Sequence, residues 1–107
     1  MEKDNYITDV VFRVDTTGSW KGTVFAMLPH ECSDYKGNVT CYQHVGQHSS
    51  ADYHGCVAKS RLATETEYAD LKREMENIGY VLKVIKKQDR HKFLVSYREV
   101  TNPKPKN

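Results

Sequence analysis

Between His30 and Cys56 the chain places all three of its cysteines and four of its five histidines, together with Tyr42, Gln43, Gln47, Asp52 and Tyr53. Imidazole and thiolate bind zinc, and an imidazole beside a thiol or a carboxylate can activate a nucleophile or move a proton. A structural zinc site would need four such ligands in a tetrahedron. No Cys-x-x-Cys pair occurs, Cys41 and His44 differ in strand parity, and Gly46 discourages the helix that would align His44 with His48. No metal ligand set is therefore expected. Covalent catalysis would need Cys41 or Cys56 beside an imidazole, but Cys41 alternates with Val39 and Val45 and reads as a small buried hydrophobe. Cys32, after His30 and Glu31, reads as the most exposed thiol. His44 or His48 paired with Asp52 could do acid–base work on a phosphate-containing substrate, with or without a metal.

The same groups suit recognition. Gln47, His48 and Ser49, expected in a loop over residues 46–55, offer hydrogen bonds beside the aromatic faces of Tyr42 and Tyr53 for a nucleotide-like ligand or a peptide. The ordinary alternative is that these side chains bond to backbone groups and hold the loop itself. Trp20 stands apart in a turn over residues 17–22, beside Lys21. Protruding, it could anchor a partner protein or stack on a base; folded back, it would cover the open side of a hairpin. The reading favoured by these residues is a binding surface of Tyr42, His44, Gln47, His48, Asp52 and Tyr53, with Trp20 as a second anchor. It uses no catalytic residue, cofactor or metal.

One helix and several strands must position this surface. Thr64 and Glu67 form a capping box, Tyr68, Leu71, Met75 and Ile78 recur at helical spacing, and Gly79 supplies the stop. Period-two patterning predicts strands over residues 10–14, 23–28, 39–45 and 56–59, with the first two forming a hairpin and Pro29 ending the second strand. Residues 80–87 and 92–100 read as a second hairpin around 88–91. The expected class is α+β: a mainly antiparallel sheet with one amphipathic helix packed on one face. The other face would be left to water and would carry Tyr42 and His44.

A length of 107 residues suits one domain over residues 1–101, followed by a flexible basic tail over 102–107. The net charge of +2 conceals an asymmetry. Residues 1–80 carry eight Lys/Arg against twelve Asp/Glu, whereas residues 81–107 carry eight against two. The basic hairpin expected there could attract nucleic acid weakly, although no helix-turn-helix, zinc-finger or RNA-binding aromatic signature accompanies it. No apolar run is long enough to span a membrane, and Glu2, Lys3 and Asp4 follow Met1 where a secretory leader would be basic and then apolar. A cytoplasmic protein with reduced cysteines and no membrane partner is expected.

Four segments carry a resemblance: Val10-Val11-Phe12-Arg13, Ala26-Met27-Leu28-Pro29, Tyr42-Gln43-His44-Val45-Gly46-Gln47-His48 and Ile78-Gly79-Tyr80-Val81-Leu82-Lys83-Val84. Together they resemble an uncharacterised family of small bacteriophage and mobile-element proteins, over roughly residues 9–87. The resemblance brings no established activity and no catalytic residue. It implies a setting, in which a small accessory protein binds a host protein, such as a defence component, and obstructs or redirects it.

Overall fold

The computed structural model describes residues 7–43 and 47–101. The run from Val10 to Val14 is buried at every position, as a strand covered on both faces must be, and it lies in the central strand β1 (Ile7–Asp15). A turn containing Gly18 and Gly22, both at positive φ, returns the chain into β2 (Val24–Cys32), antiparallel to β1. Strands β3 (Val39–Gln43) and β4 (Gln47–Ala51) extend the sheet on the β2 side. On the other side of β1 lie two short strands. β5 (Ser60–Leu62) pairs antiparallel with residues 13–15, and β6 (Val81–Val84) pairs parallel with residues 7–10.

Three α-helices complete the described residues: α1 (Tyr53–Ala58), α2 (Glu65–Asn77) and α3 (Arg90–Thr101). The α2 start follows its sequence closely. Thr64 Oγ1 accepts from the Glu67 N–H while the Glu67 carboxylate accepts from the Thr64 N–H, and Gly79 at φ 116° ends the segment. Leu71 and Met75 pack on Val10, Phe12, Ala26, Leu28 and Tyr42, and the Tyr68 ring stacks on Phe12 at 4.4 Å. Ile78, expected in this stripe, is instead 54% exposed. The other face of the sheet presents Phe25, Met27, Cys32, Val39 and Cys41, and these are covered by Tyr53 of α1 and Phe93 of α3, with Leu94 and Tyr97 beside them.

The α+β class therefore holds, but the sheet is mixed and both of its faces are covered. Residues 56–58 end a helix, and the expected loop over 46–55 holds β4 and the first turn of α1. Residues 92–100 are helical, so the second hairpin is absent: β6 runs parallel to β1, and α3 then crosses the second face. The cause is a cap at Asp89, whose Oδ1 accepts from the backbone N–H groups of His91 and Lys92. Arg13, buried on β1, clasps the β5 side by donating to Ser60 Oγ at 2.6 Å and Ser60 O at 2.9 Å. Among the described residues no helix is long and apolar enough to cross a membrane. The expected tail over 102–107, and the stretch with His44 and Val45, lie outside the described residues.

Candidate functional site

Strand β2 does not end at Pro29. Its pairing with β3 jumps from Leu28↔Thr40 to Cys32↔Val39, so Pro29, His30 and Glu31 are three extra residues bulged out of the ladder. A bulge frees backbone groups, and those that are buried need other partners. The neighbouring helix α3 and the turn before it supply them. Gln88 Nε2 donates to Pro29 O at 2.8 Å, and the Cys32 N–H donates to Ser96 Oγ at 2.9 Å.

His30 completes this junction. Its Nε2 accepts the Asp89 backbone N–H at 2.7 Å, which leaves Nδ1 to carry the ring hydrogen and donate to Asp9 Oδ2 at 3.0 Å. One imidazole thus ties β1, β2 and the N-terminus of α3 together. An aspartate on Nδ1 is the arrangement that orients a catalytic base, but here the second nitrogen is committed to a backbone amide, so the ring is a fastener. Asp9 Oδ2 also receives Lys92 Nζ at 3.4 Å.

Beside this junction lies a groove of about 430 Å³, lined by Ile7, Thr8 and Asp9 of β1, Leu28, His30 and Glu31 of β2, and Lys92, Val95, Ser96 and Glu99 of α3. The groove is open, and two aliphatic side chains stand exposed on it, Ile7 at 63% and Val95 at 47%, beside exposed Glu31, Lys92 and Glu99. The β1–β2 ladder runs from Val14↔Val24 to Val11↔Met27, so the groove occupies the place where the two strands are no longer laddered.

The residues expected to form one surface are scattered. Tyr42 is fully buried against α2, where its hydroxyl donates to Glu74 Oε2 at 2.5 Å. Tyr53 is buried on the opposite face, its hydroxyl accepting the Gln88 N–H at 2.7 Å. A shared surface containing both is thereby overturned, because strand alternation reveals two faces without revealing which one is wet. His48 is exposed on β4; its Nε2 lies 2.9 Å from the Tyr80 hydroxyl and its ring meets Tyr42 edge-on at 4.8 Å. Gln47 opens β4 opposite Gln43, and His44 lies outside the described residues. Asp52 is exposed ahead of α1 and makes no capping hydrogen bond, and Trp20 stands 65% exposed at the β1–β2 turn.

The thiols are placed as core and wall. Cys32, expected to be exposed, is buried and its thiol donates to Asp34 O at 3.0 Å. Burial pushes the Cys41 thiol up to about 12, and burial with Asp15 and Asp52 nearby also raises that of Cys56. Both line a smaller cleft with Asp15 and Ser49, and the Lys59 cation that acts on Cys56 is outweighed by burial and the two carboxylates, so neither thiol is set up as a thiolate. Among the described residues no three His, Cys, Asp or Glu side chains converge on a metal position. The basic residues Lys86, Lys87 and Arg90 are exposed on the turn into α3 and its first residue.

Sequence reasoning missed Asp9, Glu31, Lys92 and Glu99, and saw His30 only as part of a dense segment. The available signal was Pro29-His30-Glu31 itself, a proline inside an apolar strand pattern, which marks a bulge as readily as an end. Comparison with known proteins finds no matching family model, curated protein or solved structure.

Proposed function

We propose that this chain is a small binding protein without catalytic activity of its own, and that it holds a partner protein in the groove between the β2 bulge and α3. The observation that carries this reading is the pair of exposed aliphatic side chains, Ile7 and Val95, on an open groove. Ile7 and Val95 are large, exposed and separated by a groove with Leu28 among its lining residues, on a junction made rigid by His30, Gln88 and Ser96. Rigid walls reduce the ordering cost of binding. The strip also continues outward, since Ile7 pairs directly with the exposed Val81 of β6. That extent suits a stretch of polypeptide better than a small molecule. In the setting implied by the four resembling segments, the partner is a component of a host cell obstructed by a phage or mobile-element accessory protein.

Photo-crosslinking tests this reading. A photoreactive residue is placed at Val95, at His48 or at Trp20, and the protein is irradiated in cells that express it. A discrete protein adduct is expected from position 95, and it should vanish when Ile7→Asp is added. Adducts from position 20 or 48 alone would move the binding surface to the hairpin tip or the β4 edge. Adducts from none of the three would reject the proposal.

A further inference from the structure

We infer that the occupant of the groove is a segment in which a lysine or arginine stands beside an aliphatic side chain. This rests on the groove reading above and adds the chemistry of the partner. The charges of the groove are unequally matched. Its lysine, Lys92, is committed to Asp9, whose same carboxylate oxygen also accepts from His30. Lys83, opposite Asp9 in the β1–β6 ladder, adds a second cation on that side. Among the described residues Glu31 has only a neutral donor, the Thr40 hydroxyl at 2.7 Å, and Glu99 has no ion pair.

Among the described residues, two carboxylates therefore line the groove without an ion-pair partner, in the same groove as Ile7 and Val95. An anionic segment would meet both of them. A purely aliphatic segment would fill the apolar part but strip water from the carboxylates without replacing its hydrogen bonds. A segment with a basic side chain next to Leu, Ile or Val satisfies both demands: its cation reaches Glu31 or Glu99 and its neighbour packs between Ile7 and Val95. Arginine is the better fit where a carboxylate can be met by two N–H groups.

A random heptapeptide display library, panned against the whole chain, tests this directly. The enriched sequences should pair Lys or Arg with an adjacent aliphatic residue, and in NMR titration a representative should shift the amides of Ile7, Val95 and Glu99. Glu31→Gln with Glu99→Gln, both at exposed positions, should weaken its binding by about ten-fold or more while leaving the melting temperature unchanged. Peptides that shift the same amides but are acidic or neutral, or that bind the double variant equally well, would overturn the partner chemistry and leave the groove standing. Shifts elsewhere, or no enrichment, would overturn the groove reading and this inference with it. Two further results would replace the foreign partner: equal binding by the free peptide of residues 102–107, naming the chain's own end, or a dimer that dissociates in the double variant, naming a second copy.

Discussion

Helix α2 reaches its face of the sheet with a start and stop written into its own segment, whereas α3 is fixed to the opposite face by groups that reach it from elsewhere in the chain. On the α2 side, Thr64, Glu67 and Gly79 set the ends, and apolar side chains do most of the holding. On the α3 side, Phe93 supplies an apolar anchor, but the position of the helix depends on polar ties from the bulge: His30 to the Asp89 amide, Gln88 to Pro29 and Ser96 to Cys32. The difference separates what is cheap to move from what is not. A helix held by area resists any single deletion of a hydrogen bond, while one held by directed bonds keeps a defined groove beside it and depends on each bond more heavily.

The largest test of this contrast removes an apolar anchor from each face. Phe93→Ala should cost about 3–5 kcal/mol and Leu71→Ala about 2–5 kcal/mol in urea unfolding. Comparable losses would mean that both faces belong to one cooperative core. A loss well below 1 kcal/mol for Phe93→Ala would break the comparison by showing that α3 adds no packing stability.

Next come the polar ties. His30→Ala leaves the Asp89 N–H and the Asp9 carboxylate short of a partner and should cost about 1–3 kcal/mol. Hydrogen exchange should then speed up along α3 and leave α2 protected. Tyr42→Phe on the other face should cost less, about 0.5–1.5 kcal/mol, because Leu71 and Met75 still hold α2 by packing when the bond to Glu74 is lost, and any faster exchange should be confined to α2. If both variants loosen both helices alike, the two faces are not independently held.

Acid sharpens the picture of the α2 start. The Arg61 guanidinium, then the Thr64 amide, lower the Glu67 carboxyl to about 2. A depressed carboxylate stabilises the fold above its unfolded value and loses that contribution as pH falls through the folded one. Wild type should therefore lose stability between pH 5 and pH 2 more steeply than Glu67→Gln, as thermal melts across that range would show. Equal slopes would mean that the capping carboxylate contributes nothing beyond its geometry. The smallest effect is chemical: at pH 8 a thiol reagent should leave Cys41 of the folded protein unmodified, because its thiol is raised to about 12, and react only as the chain unfolds.

The uneven legibility of the sequence follows the same division. Both ends of α2 could be read locally because Thr64, Glu67 and Gly79 act within a few residues of where they stand. In α3, Phe93, Val95 and Tyr97 alternate like a strand while Phe93 and Tyr97 also share a helical face, and only Asp89, as a cap, distinguishes the two. Tyr42 was expected in water because the helix that covers it is remote in sequence, its partner Glu74 lying 32 residues away. The groove is less legible still. Asp9 and His30 are 21 residues apart, and His30 and Asp89 are 59 apart, so no spacing rule joins them before the sheet is assembled.

Trp20 carries a practical consequence. It is the only tryptophan of the chain and stands 65% exposed at the hairpin tip, away from both cores. Its emission comes from a watery environment in the folded and unfolded states alike, so intrinsic fluorescence is a poor reporter of melting, which is better followed through the near-ultraviolet dichroism of Tyr42 and Tyr53. The same insensitivity makes the indole a sentinel. A ligand seated in the groove leaves its spectrum unchanged, whereas a blue shift on adding a binder reports contact at the tip.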